Sequence, residues 1–460
     1  MRDQPDTRAS RRNFLKGVLF AGGGAALGAG SLDVLARLAR GQEDTRDRFY
    51  VFAYFSGGWD TLLSLDPRDP ATFGPDAIGG TRIMPGYEQL ATPPADPLVR
   101  ASDALTFGPF VGELASLASR TAVIRGMSMD TLTHEVGRRR FLTGKVPSGL
   151  NARGSSGSAW IASQFGTNRL IPNLSVRVEA FNPELGPDYS ALRVSRAEDL
   201  VAMLQRATPV LAEPVDEAVD AFLTQSARCS RATGSPMLRA AEASRRRMRT
   251  VLAADVQSLF DFRANTPEME ALRSHFGFTA TTSDSPGGRA AIAAQALVHG
   301  VARCVTIEAA GGLDTHFDEW SRDQGPRQQA GFDALARLAR YLEGVPYDER
   351  GSESMLDRTV IVGFSEFMRT PLLNARGGRD HWLTNSCFLL GGPFRGDQAI
   401  GASSDVGMAP QPVDLATGRL DPGGVVIRPE NVLRTLLVDA GLADDRADLR
   451  ADPIGALLRS

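Results

Sequence analysis

Six short apolar runs, separated by stretches rich in glycine, proline and acid, constrain this chain more than any other feature. They read FYVFAYF (49–55), TAVIRGM (121–127), LSVRV (174–178), CVTIEA (304–309), TVIVGF (359–364) and SCFLLGG (386–392). Their β-branched and aromatic content, without strict alternation, predicts strands covered on both faces. Helical patterns lie between them. AGFDALARLARYLEGV sets Phe332, Leu335, Leu338 and Leu342 at helix spacing. PENVLRTLLVDAGL opens with Pro429 in a first turn and stops at Gly441. Strands alternating with helices predict an α/β fold, a central, mostly parallel sheet flanked by crossover helices.

Other stretches depart from this rhythm. Residues 191–275 carry much Ala, Arg, Leu and Glu and little strand signal, which predicts a mainly helical insertion. Residues 64–105, rich in Pro, Asp and Gly, read as a long excursion after the first strand, and 276–290 as a linker. With 42% hydrophobic and 23% charged residues the chain has material for a large core or two. A net charge of -3 gives no global reason to bind nucleic acid. The basic cluster Arg245–Arg247 reads as the wet face of a helix. Cys229, Cys304 and Cys387 are too few for a disulfide framework, and the latter two sit in strand-like runs expected in the core.

Near the N-terminus, Ser10-Arg11-Arg12-Asn13-Phe14-Leu15-Lys16 precedes a Gly/Ala-rich apolar run. This reads as a twin-arginine signal, an address and not an anchor. The run is short and glycine-rich for a membrane span. The expectation is a signal peptide over 1–41 and a folded chain over 42–460, located in the periplasm or outside the cell, with no stable membrane span after cleavage.

Residues able to do chemistry collect just after the strand ends, where open α/β sheets bind ligands. The first strand runs into Ser56-Gly57-Gly58-Trp59-Asp60, and the strand at 304–309 into Gly311-Gly312-Leu313-Asp314-Thr315-His316. The strand at 359–364 runs into Ser365-Glu366, and Asp380-His381 follow behind Gly377 and Gly378. His134 is a further imidazole; His275 and His299 lie in helical contexts and read as structural. Asp60, Asp314, Glu366 and Asp380 with His316, His381 and His134 are thus expected to hold one or two divalent ions, with Zn, Mn, Fe and Ca all open. Two close ions suit a phosphoryl or sulfuryl ester hydrolase. Plainer readings stand beside this one. An Asp after a strand forms turns. An Asp-His pair satisfies itself by hydrogen bonding. Ser365-Glu366 caps a helix.

The order SGGWD, THEVGRRRFLTG, GGLDTHFDEW, VIVGFSEFMRT and RDHW resembles domain-of-unknown-function family 1501, twin-arginine-exported proteins similar in fold to alkaline phosphatases and sulfatases. The resemblance spans essentially the whole mature chain. It implies an alkaline-phosphatase-like sandwich, with Asp60 on one metal and Asp314 and His316 on the other. Glu366 stands where that superfamily has an Asp, Phe367 where it has a His, and His381 is the replacement imidazole. The sulfatase nucleophile motif falls on His134 to Gly144, with Arg138 and Thr143-Gly144 in register. His134 occupies the nucleophile's place, where it reads as ligand or base. Arg138 reads as an anion contact or the partner of a carboxylate, and Thr61 is an outside candidate nucleophile. The resemblance therefore implies a metal-dependent hydrolase acting on a small anionic ester, of phosphate or sulfate. The alternative is a non-catalytic periplasmic binding or scaffold protein that keeps the fold, with or without a structural metal, and binds a partner or a cell-envelope polymer.

Overall fold

Strand β1, Phe49–Phe55, is buried along its whole length, and its alternation shows why. Phe49, Val51, Ala53 and Phe55 face one apolar cluster, while Tyr50, Phe52 and Tyr54 face another. A strand with two dry faces must lie mid-sheet between layers. The structure is a computed structural model that describes residues 47–458 apart from 167–168, 206–211, 349–350 and most of 230–255. The twin-arginine segment and Arg247 lie outside the described residues.

The remaining sheet strands are β2 (Thr121–Ser128), β3 (Ile171–Val176), β4 (Leu192–Val194), β5 (Ala302–Ala310), β6 (Thr359–Phe364), β7 (Thr384–Gly391) and β8 (Gln398–Ile400). They form one eight-stranded sheet in the order β8-β2-β7-β6-β1-β5-β3-β4. Only β7 runs against its neighbours, so the sheet is mostly parallel, as expected. β1 and β6 keep the limits of their apolar runs. β3 ends at Val176, two residues early, because Arg177 turns the chain with φ 65°. The edge strands β4 and β8 are three residues each, too short to show a pattern in sequence.

Among the described residues, the α-helices longer than one turn are α1 (His134–Thr143), α2 (Gly157–Phe165), α3 (Ala197–Leu204), α4 (Glu213–Ser226), α5 (Pro267–Phe276), α6 (Pro286–Val298), α7 (Gly325–Glu343) and α8 (Pro429–Asp439). The residues of α6 and α7 pack with Phe49 and Val51, those of α1, α2 and α8 with Tyr50 and Phe52. On α7 the expected stripe Phe332, Leu335, Leu338 and Leu342 is fully buried, and each such side chain contributes about 1.5–3 kcal/mol. Residues 191–275 hold β4, which joins the main sheet, and then α3, α4 and α5. The expected linker is shorter than 276–290. Ser285 accepts from the Gly288 N–H at 3.2 Å and starts α6 at Pro286. Residues 64–105 contain no element longer than four residues. Cys304 and Cys387 are buried in β5 and β7, where burial pushes both thiols up. No described helix is long and apolar enough to cross a membrane.

Candidate metal centre

Because β6, β1 and β5 are parallel neighbours, their C-terminal ends open at one edge of the sheet. After β1 the chain turns at Gly57 with φ 111°, where a Cβ would lie 2.6 Å from the Asp314 nitrogen. Only glycine lets the two turns touch. After β6, Ser365-Glu366-Phe367 leads into a short strand, Met368–Arg369, paired antiparallel with His381–Trp382. The expected alternative, a helix capped by Ser365, does not form there. Gly378 lies so close to the His316–Phe317 backbone that a Cβ would meet it at 2.3 Å. That approach sets Asp380 and His381 beside His316. His134 arrives from another direction, as the first residue of α1.

The geometry has one hub. The Oδ1 atom of Asp314 lies 3.3 Å from His134 Nε2, 3.0 Å from His316 Nε2 and 3.3 Å from His381 Nε2. His316 Nε2 and His381 Nε2 are 2.9 Å apart. Each imidazole is anchored through its other nitrogen. His134 Nδ1 is 2.7 Å from Glu366 Oε1, His316 Nδ1 2.8 Å from Asp380 Oδ1, and His381 Nδ1 2.7 Å from the Leu132 carbonyl. Those three acceptors favour the tautomer in which Nδ1–H donates to them, and in that tautomer each Nε2 carries the lone pair. Phe367 is fully buried beneath, its ring centroid 4.9 Å from His134 and 4.3 Å from His381.

The electrostatics follow from the partners. Burial raises the Asp314 carboxyl, but the Arg369 guanidinium, 2.5 Å away, outweighs it and holds the acid down at about 2. Burial also raises Glu366, yet the bond to His134 brings it below the usual carboxylate range. In His134 the two influences reverse: burial lowers the imidazole, and Glu366 and Asp314 together raise it above its usual value. His381 is lowered, first by burial. His316 holds the Asp380 carboxyl low.

The structure thus brings together His134, Asp314, His316 and His381. For His134, Asp314 and His381 the ligand atoms all lie within 4.8 Å of one another. Glu366 and Asp380, expected as ligands, stand behind imidazoles: Glu366 also accepts from the Gly57 N–H at 2.9 Å and from the Ser365 hydroxyl at 2.8 Å. Asp60 is not among them. Its carboxylate takes the Trp320 indole N–H at 2.9 Å, the Arg379 guanidinium at 2.9 Å and the Leu62 N–H at 3.1 Å, all buried. Thr61, expected as a possible nucleophile, is buried with its hydroxyl 3.2 Å from the Met368 sulfur. Arg138, expected as an anion contact, bonds Glu179 through Nε at 3.1 Å and Nη2 at 2.9 Å, which is the carboxylate-pair reading. His275 and His299 bond the Arg337 carbonyl and Gln295, away from the centre. Arg369 is the residue that sequence reasoning passed over. Its only signal is its place in SEFMRT, two residues after Phe367, on the short strand that follows it.

The donor separations also fit an ion. Metal–nitrogen bonds of about 2.0–2.1 Å in a tetrahedron put neighbouring donors roughly 3.3 Å apart. The Asp314 oxygen lies 3.0–3.3 Å from each Nε2, and the Nε2 atoms of His316 and His381 are 2.9 Å apart.

The family model described as Protein of unknown function (DUF1501) matches residues 50–430, well over half of the chain. No curated protein matches. A solved structure of Ps i-CgsB in complex with k-i-k-neocarrahexaose is similar over 89% of this chain and 75% of its own, at 10% identity and a TM-score of 0.33. Another structure of Ps i-CgsB is similar over 88% and 75%, at 9% identity and a TM-score of 0.36. Likenesses so distant carry no argument about this chain.

Proposed function

The chain belongs to the DUF1501 family, and from that premise we propose that it is an exported, metal-dependent hydrolase-like protein centred on His134, Asp314, His316 and His381. One observation carries the reading. Three imidazoles, each tied back through Nδ1, aim Nε2 lone pairs at one carboxylate oxygen, and two of those nitrogens are 2.9 Å apart. Facing lone pairs repel, and a cation between them turns that repulsion into binding. Of the metals left open by the sequence, three imidazoles and one carboxylate favour Zn, Mn or Fe over the oxygen-seeking Ca.

Such an ion, when bound, supplies a Lewis acid for an ester oxygen and an acidified water. The protein's own part is orientation. Glu366, Asp380 and the Leu132 carbonyl fix the tautomers of His134, His316 and His381. His134, in the nucleophile's place of the sulfatase-like motif, serves as ligand. Arg138 serves Glu179 and not the substrate. Phosphate or sulfate esters, an alkaline-phosphatase-like sandwich and twin-arginine export rest on the resemblance of motifs, an associational warrant.

One observation favours a second reading, a non-catalytic periplasmic binding protein. The hydroxyl of Thr61 is spent on Met368, and that of Ser365 donates to the Phe55 carbonyl at 2.6 Å. Neither offers an oxygen nucleophile. Elemental analysis of tag-free protein from the periplasmic fraction decides between them. We expect transition metal in the wild type, its loss in a His316→Ala His381→Ala double variant, and metal-dependent turnover within a panel of phosphate and sulfate esters. Metal without turnover supports the binding protein, and a folded wild type without metal sinks the centre. Cytoplasmic retention after Arg11→Lys and Arg12→Lys checks the export step.

A further inference from the structure

We propose that the buried guanidinium of Arg369 fills the position of a second cation, so that this centre takes a single divalent ion. The inference rests on the proposed metal centre.

The Arg369 side chain is fully buried, and its surroundings are what a hard cation would select. Its Nε donates to the Gly58 carbonyl at 3.1 Å, its Nη1 to the Arg379 carbonyl at 3.0 Å, and its Nη2 to the Gly57 carbonyl. The same Nη2 lies 2.5 Å from Asp314 Oδ1, and Nη1 lies 3.3 Å from His316 Nε2. Three main-chain carbonyls and a carboxylate oxygen form a ready donor shell, and a permanently charged side chain occupies it. The backbone is shaped for this occupant. Gly58 has φ 81°, and a Cβ there would lie 2.6 Å from the Phe367 ring and 3.2 Å from Arg369 Nε.

Charge balance gives an independent argument. Asp314, Glu366 and Asp380 bring three negative charges around the imidazoles, Arg369 returns one positive, and the exposed Arg376, 3.5 Å from Asp380, adds another at the rim. With neutral imidazoles one divalent ion already outweighs the remaining negative charge. A second would leave an excess of three positive charges in a partly dehydrated site, where like charges repel strongly.

The test is metal stoichiometry by native mass spectrometry and by titration with Zn or Mn alone. Wild type should saturate at one ion per chain, and Arg369→Lys, which keeps the charge, should do the same. Arg369→Gln removes the charge and frees the carbonyls, so the folded variant should take up a second ion. Two ions on the wild type would overturn the inference and leave the metal reading intact. No ion on a folded wild type overturns the metal reading, and this inference with it. A folded Arg369→Gln that still stops at one ion overturns the role given to the guanidinium. Should that variant not fold, the wild-type count and Arg369→Lys still decide.

Discussion

Two turns of this molecule share one local sequence and have opposite fates. Gly57-Gly58-Trp59-Asp60 follows β1, and Gly311-Gly312-Leu313-Asp314 follows its neighbour β5. The turns are laced together: the Ser56 N–H donates to the Ala310 carbonyl at 2.9 Å, and the Leu313 N–H to the Ser56 carbonyl at 3.1 Å. Each aspartate faces a fully buried arginine, Arg379 for Asp60 and Arg369 for Asp314. Yet the Asp60 side chain is 1% exposed and closed off by Trp320, whereas that of Asp314 is 49% exposed and ringed by three imidazoles. A Gly-Gly-x-Asp turn therefore delivers an anion to a strand end. What the other chain segments bring to that anion decides whether it locks the fold or offers a ligand.

The largest effect that can break this comparison is on stability. Asp60→Asn removes the charge facing Arg379 and leaves a guanidinium buried without its counterion. Breaking a buried pair in this way costs about 3–5 kcal/mol. Asp314→Asn also strips a counterion from a buried guanidinium, but solvent reaches the half-exposed Asp314 side of that pair and Arg369 keeps its main-chain carbonyls, so it is expected to cost less than Asp60→Asn. Urea unfolding of the two variants measures both numbers, and equal losses would mean that the two turns do not differ in role. The next effect is on affinity. Glu366→Gln keeps the size of the side chain but loses the charge behind His134 and the Gly57 N–H. Substitutions behind a ligating imidazole typically weaken metal binding about 10–100-fold. Competition with a coloured chelator reads the change, and an unaltered affinity would remove His134 from the ligand set.

The same contrast explains what was readable in the sequence. The central strands carry continuous apolar runs and α7 carries a clean stripe, so burial on two faces or one writes itself into composition and spacing. Strands β4 and β8 carry nothing comparable, being three residues long at the sheet edges. For the candidate centre, the sequence shows which strand ends bear anions and imidazoles. It does not show which of them meet, because those contacts join residues far apart, as His134 meets Glu366. Asp60 looked like a ligand because its turn is locally the same as that of Asp314, and the difference lies with Trp320 and Arg379. Glu366 and Asp380 were legible as anions but not as supports of imidazoles. Arg369 left only its place in SEFMRT, since a buried arginine held by main-chain carbonyls has no periodicity to betray it.

The smallest expected effect sharpens the comparison through pH. Arg369, prevailing over burial, holds the Asp314 carboxyl at about 2, below the roughly 3.9 of an unfolded aspartate. As acid is added, the unfolded chain takes up this proton first. The pairing therefore contributes stability at pH values above the unfolded pKa, and that contribution disappears as pH falls through about 2. In Asp314→Asn this part of the fall should vanish, and stability should decline less steeply between about pH 4 and about pH 2 than in the wild type. Asp130 provides an internal standard. Burial raises its carboxyl, but Ser128 and Arg140 bring it to about 2 as well, and its share of the fall should persist in the variant. Urea titrations followed by circular dichroism at each pH give the two slopes. Screening at a half-exposed carboxylate keeps the difference small. Parallel slopes would show that Arg369 does not hold Asp314 as a buried partner, and the distinction between a locking and an offering aspartate would then rest on Asp60 alone.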